Sequence, residues 1–118
     1  MLLLSHFVAQ YELKPFSLQD VLVGAEKVLK KLTIEVKSPV KLAGVKFFKV
    51  RIGSKTKGRM IVFMIVESGQ VIPILIRFKK DKIFGINMTM NNPRVVKQIK
   101  HNLDRVLGDI KHGRYEEF

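Results

Sequence analysis

The stretch "KFFKVRIGSKTKGRMIVFMIVESGQVIPILIRF" (Lys46 to Phe78) holds three strand-length segments divided by two turn signals. In Lys46 to Ile52, Phe48, Val50 and Ile52 alternate with Phe47, Lys49 and Arg51. This period of two predicts a strand with one apolar face and one partly charged face. "GSKTKG", bounded by Gly53 and Gly58, reads as a flexible cationic turn. From Met60 seven apolar residues follow without a break, as expected of a central strand covered on both faces. "ESGQ" reads as a hairpin turn. In Val71 to Phe78, Ile72, Ile74, Ile76 and Phe78 share one face, while Leu75 and Arg77 look the other way. Pro73 cannot donate to a ladder, which predicts a bulge or a free edge near the start of that strand.

Helices flank this meander. Ser17 has the chemistry of an N-cap, with Asp20 as a weak capping-box partner. Leu18, Val21, Leu22, Ala25, Val28, Leu29 and Leu32 then recur at helical spacing, opposite Glu26, Lys27, Lys30 and Lys31. Leu2 to Val8 fits either a first strand or a helical lead-in, and periodicity does not decide between them. "TIEVKSPVKLAG" (33–44) predicts an extended connector, kept out of helix at Ser38 by Pro39. After the meander, Asn92 and Pro93 open a last helix whose expected buried stripe is Val96, Ile99, Leu103, Val106, Leu107 and Ile110. "HGRYEEF" reads as a polar tail. The expected fold class is α+β: one domain over residues 1–118, an antiparallel sheet of three to four strands with an N-terminal and a C-terminal helix packed on it.

Composition narrows the function. With 47% hydrophobic and 27% charged residues the chain is that of an ordinary globule, and with no cysteine it has no disulfide or thiolate metal site. No apolar run is long enough to cross a bilayer, and "MLLLSHFV" does not read as a signal peptide, so a cytoplasmic protein without a membrane partner is expected. The net charge is +12, and residues 41–82 hold eleven basic against two acidic side chains, which places three quarters of the excess there. Such a concentrated field favours a polyanion, nucleic acid first and an acidic protein second. The plainer alternative is a solvated lysine surface, which needs no such concentration.

The inventory of chemical groups is short. His6, His101 and His112 are scattered without metal-ligand spacing and read as surface or hydrogen-bonded side chains; no metal or other cofactor is expected. No nucleotide-binding glycine loop is present, and Glu67 and Asp81 are the only acids between Lys41 and Lys82. Cations alone suffice for one reaction class. RNA carries its own nucleophile, the 2′-hydroxyl beside each phosphodiester. An enzyme need only orient it, take its proton, neutralise the phosphorane and protonate the leaving 5′-oxygen. Guanidinium groups match phosphate oxygens with a bidentate fork. A lysine crowded by other cations has its pKa pulled down from about 10.4, so that it can exchange protons. Arg51, Lys55, Lys57, Arg59, Arg77 and Lys79 lie on or beside three consecutive strands, and a meander can gather them. The competing reading makes Arg51 and Arg77 edge gatekeepers against aggregation.

From Pro39 to Lys82 the chain resembles the RelE/ParE toxin superfamily, in particular its HigB-like branch. The resemblance rests on the ordered set Pro39, "KLAG", "FFKVRIG", "KGRMIVF", "ESGQ" and "ILIRFKK", with a C-terminal helix after it. It implies a RelE-like fold and the toxin of a type II toxin–antitoxin pair, a metal-independent, ribosome-dependent mRNA endonuclease (mRNA interferase). Carried over by position, the resemblance makes Arg59, Arg77 and Lys57 catalytic. Arg59 would hold the scissile phosphate, Arg77 would stabilise the transition state, and Lys55 and Lys57 would bind flanking backbone or move protons. Arg51, Lys79, Lys80 and Lys82 would extend the RNA-binding groove, and Phe84 would stack on a base. The implied partners are a cognate acidic antitoxin and mRNA on the ribosome; whether the chain forms a homodimer stays open. The pattern departs at two places: the position three residues after Arg59 is Val62, not tyrosine, and no tyrosine or histidine directly follows "RFKK". The departures leave a second reading open, a non-nucleolytic binder on the same scaffold, either a ParE-type gyrase inhibitor or an RNA- or protein-binding module.

Overall fold

A computed structural model describes residues 1–53, 57–82, 84 and 88–118. Its elements run β1 (Leu3–Ser5), α1 (His6–Tyr11), α2 (Leu18–Leu29), β2 (Ile34–Val36), β3 (Val45–Ile52), β4 (Gly58–Ile65), β5 (Val71–Phe78), α3 (Pro93–Lys111) and β6 (Tyr115–Glu117). The fold is α+β. Strands β2, β3, β4 and β5 form an antiparallel sheet in that order, and β1 pairs with β6 in a smaller one. Met60, Ile61, Val62 and Phe63 of β4 are all buried, so the central strand is covered on both faces as its sequence predicts.

The fourth strand comes from the segment expected to be a plain connector. Ile34, Glu35 and Val36 pair with Lys49, Phe48 and Phe47. Two β-branched residues in alternation are enough for a short edge strand once β3 offers a ladder, but too few to announce one. Pro73 behaves as its chemistry demands: Ile61 pairs with Leu75 and Val62 with Pro73, so Ile74 bulges out of register. Strand β5 also ends the sheet order. Its outer edge is closed by other groups. The Val71 N–H donates to the Met1 carbonyl at 2.9 Å. The Ile76 N–H donates to Glu12 at 2.9 Å, and Asn102 Nδ2 donates to the Ile74 carbonyl at 3.0 Å.

Helix α2 and helix α3 lie on opposite faces of the sheet. The capping box that starts α2 is complete, with Ser17 and Asp20 each accepting the other's backbone N–H at 3.1 Å. A Cβ on Gly24 would come within 2.8 Å of Ile52 Cγ2 and 2.9 Å of Met60 Cε, so the missing side chain is what lets the helix settle on that face. Val21, Ala25 and Val28 are buried beside it, but Leu29 and Leu32 are 44% and 70% exposed. The expected stripe therefore ends early. The helix stops at Leu29 and the chain turns away at Lys31, whose φ is 60°.

On the other face, Leu107 and Ile110 of α3 line a groove with Val45, Phe63 and Ile65. The deepest stripe of α3 is Val95, Ile99, Asn102, Leu103, Val106 and Asp109, which shares Ile99, Leu103 and Val106 with the predicted set. Val96 and Ile110 are only half-buried and Leu107 is exposed. Two polar residues rotate the stripe: Asn102 fastens the β5 edge, and Asp109 accepts the Phe7 N–H at 2.8 Å and Arg114 Nε at 3.0 Å. Residues 2–8 turn out to be both a strand and a helix, joined at Ser5, whose Oγ accepts the Val8 N–H at 3.2 Å. The supposed polar tail is β6, with Leu3, Leu4 and Ser5 paired to Glu117, Glu116 and Tyr115. No helix among the described residues is long and apolar enough to cross a membrane.

Gly24→Leu is expected to lower folding stability by roughly 1–3 kcal/mol through overpacking between α2 and the sheet. Urea unfolding at an unchanged m-value checks it.

Candidate nucleic-acid interface

The register of the meander decides where the cations go. Arg51 lies directly opposite Arg59, and Arg59 directly opposite Arg77. Directly opposed residues have Cα atoms about 4.5–5.5 Å apart and send their side chains to the same face. Three guanidinium-bearing residues therefore form one row across three strands. The next row on that face is Lys49, Ile61 and Leu75. The face is thus divided along the strands: α3 covers the end that holds Val45 and Phe63, and the cationic row occupies the opposite end.

Like charges directly opposite one another repel, and the row has two visible adjustments. The first is Lys49. Its ammonium is held below the usual lysine range, chiefly by burial, then by the positive charge of Arg59, then by that of Arg51. All three effects disfavour the charged form. Its position on the Arg51 side of β3 was plain from the period-two alternation, yet Lys49 was not singled out as a site residue. The second is Glu12, which closes α1 and is buried. Its carboxylate pairs with Nη1 of Arg77 and also accepts the Ile76 N–H at 2.9 Å. Sequence reasoning searched the acids near the arginines and missed this one, because it stands 65 residues away along the chain. No local signal marks it.

Arg77 is accordingly not a bare cation. Its Nη1 donates to the Ile76 carbonyl at 2.9 Å as well as to Glu12, and its Cζ sits 5.2 Å from the centre of the Phe84 ring. Phe84, expected to stack on a base, already stacks on Arg77 and is half-buried. Arg59 in the middle of the row is half-buried, and Arg51 is exposed. The Lys79 N–H donates to the Lys57 carbonyl at 3.0 Å, which brings the end of the cationic turn beside the exit of β5. Lys57, Lys79, Lys80 and Lys82 are exposed there, whereas Lys55 lies outside the described residues. Tyr115 is engaged in β6 opposite Ser5.

The structure thus brings Arg51, Arg59, Arg77 and Lys49 onto one face, with Lys57 and Lys79 at its end. Among the described residues no group of three histidine or acidic side chains is placed to hold a metal ion. His6, His101 and His112 are exposed, and His101 packs edge-on to Phe7 with ring centres 6.4 Å apart. Chemically, the face can neutralise phosphate charge with guanidinium groups and exchange a proton at Lys49. No known family, characterised protein or solved structure matches the chain.

Replacing Arg59 by Gln removes a positive neighbour, so the Lys49 pKa is expected to rise towards the ordinary lysine value. Arg51→Gln should raise it less, since Arg59 has the larger effect. An NMR titration of the lysine side-chain Cε resonances checks both the direction and the order.

Proposed function

We propose that the protein is an RNA-cleaving toxin of the RelE/ParE kind, acting in the cytoplasm on ribosome-bound mRNA and held in check by an acidic antitoxin. The observation that carries this reading is the row Arg51, Arg59 and Arg77 with Lys49 beside it, one cationic face on a stiff sheet. A phosphodiester lying along the row meets fixed guanidinium donors that need little reorganisation. Lys49 in its neutral form, which burial and the neighbouring guanidinium charges favour, takes the proton of the 2′-hydroxyl, whose oxygen bonds to phosphorus. The bond from phosphorus to the 5′-oxygen breaks, and that oxygen takes a proton from a neighbouring ammonium group. The products are a 2′,3′-cyclic phosphate and a free 5′-hydroxyl. In this scheme Lys49 takes over the proton transfer that the resemblance would give to Lys57. The exposed Lys57, Lys79, Lys80 and Lys82 follow the flanking backbone. The excess of cations in residues 41–82 is what an acidic partner would cover.

One observation favours the second reading, a non-nucleolytic binder such as a gyrase inhibitor or an RNA- or protein-binding module. Arg77 is engaged by Glu12 and Phe84, and the chain has neither the tyrosine three residues after Arg59 nor the tyrosine or histidine after "RFKK". Cleavage of ribosome-bound message beside a DNA-supercoiling assay separates the two readings. Intact message with blocked supercoiling would replace the first with the second.

Arg59→Ala is expected to abolish growth arrest and message cleavage with the fold retained. It should also make the dependence of log K on log salt for single-stranded RNA shallower by about 0.7, the share of one phosphate contact. Wild-type cleavage by this variant would reject the assignment.

The sign of the pH dependence follows from Lys49. Its neutral fraction grows with pH, so single-turnover cleavage should climb as pH rises through its lowered pKa and level off above it. Lys49→Arg cannot deprotonate and should lose about 10²–10⁴-fold in rate while still binding RNA. A flat pH profile would remove Lys49 from the reaction.

A further inference from the structure

Glu12 is a charge where a neutral group would have closed the sheet edge. The Ile76 N–H that it accepts at 2.9 Å needs only an acceptor, and an amide oxygen would serve. A carboxylate at 5% side-chain exposure is costly unless a cation compensates it, and here the cation is Arg77. The contacts of that guanidinium are distributed unevenly. Among the described residues both of its hydrogen bonds leave from Nη1, one to Glu12 and one to the Ile76 carbonyl. The Phe84 ring lies 5.2 Å from Cζ. One nitrogen is anchored, and among the described residues the Nε–Nη2 edge makes no hydrogen bond. That edge is one of the two by which a guanidinium grips a phosphate with parallel hydrogen bonds.

We propose that Glu12 is the positioning residue of the basic face, one that sets the orientation of Arg77 and cancels its net charge. The proposal rests on the reading that the arginine row receives an RNA phosphate. Its consequence is a division of labour. Arg51 and Arg59 supply the long-range attraction to the phosphate backbone. Arg77, neutralised by its partner, supplies directed hydrogen bonds whose worth depends on alignment more than on charge. Glu12 touches no substrate; it acts through Arg77 alone.

Glu12→Gln tests this, since the amide oxygen can still accept the Ile76 N–H while the charge is gone. Three readings are taken on the full chain after urea unfolding has shown that it folds. The ¹⁵N relaxation of the Arg77 Nε–H group should report a rigid side chain in the native protein and a mobile one in the variant. The salt dependence of binding to a short single-stranded RNA should become steeper by about 0.7, because Arg77 regains its charge. Cleavage of bound RNA should fall at least tenfold although binding at low salt is tighter, a split that loss of structure would not produce. A variant in which Arg77 stays rigid and the salt slope does not change would overturn the proposal. If Glu12→Gln does not fold, the pair Glu12→Gln with Arg77→Met replaces it. That double variant should keep the native salt slope, and a slope shallower by about 0.7 would overturn the proposal as well. Should the native protein bind no RNA, the functional reading fails, while the relaxation contrast at Arg77 still decides the role of Glu12.

Discussion

The register of β4 against its two neighbours is the constraint on which the molecule turns. Residues alternate faces along a strand, so a slip of one position would send Arg59 to the α2 side and bring Met60 among the cations. The slip is prevented from both sides at once. Met60 and Val62 are buried on the face that α2 covers at Met60, while Ile61 and Phe63 are buried on the α3 side. Neither face of the strand could exchange places with the other without exposing apolar surface or burying a guanidinium. The bulge at Ile74 belongs to the same constraint, since it absorbs the missing donor of Pro73 before the ladder reaches Arg77. Arg51, Arg59 and Arg77 share a row because the core fixes the count of residues between them and the turns.

A row of like charges costs energy unless something relieves it, and the protein uses a different means at each end. At the β5 end a buried carboxylate takes one guanidinium nitrogen of Arg77, and an aromatic ring lies against it. Towards β2, burial first and then the charges of Arg59 and Arg51 disfavour the charged form of Lys49. The first compensates a guanidinium with a counter-charge, and the second lowers the charge of an amine. Both would serve the phosphate-binding surface proposed above.

The sheet edges explain why so many elements look minor in sequence yet matter in space. Strand β5 would end the sheet with open donors and acceptors, a template for aggregation. Glu12, Asn102 and the carbonyl of Met1 occupy those positions. The same groups tie α1 and α3 to the sheet, and Asp109 fastens the start of α1 in turn. The polar residues in the buried stripe of α3 are therefore attachments, Asn102 to the β5 edge and Asp109 to α1. With the two chain ends paired as β1 and β6, the N-terminal segment is held between the sheet and the last strand.

Periodicity carried the elements that bury a long apolar face. The three strands of the meander, the start of α2 at Ser17 and that of α3 at Asn92 were legible because alternation and capping are local properties. The bulge at Pro73 was legible for the same reason, a missing N–H being a property of one residue. What could not be read depends on a partner elsewhere. Strands β2 and β6 are three residues each and exist because β3 and β1 offer them a ladder. Leu29 and Leu32 fall outside the core where the helix stops and the chain turns away at Lys31, a limit no helical repeat contains. The candidate site divides in the same way. That Lys49 and Arg51 share a face follows from the strand period alone. That Arg59 lies between Arg51 and Arg77 required the register of two hairpins, one of them bulged. The pairing of Glu12 with Arg77 was decided by tertiary structure only, since a buried charge is tolerated where the fold brings a counter-charge to it, whatever the distance along the chain.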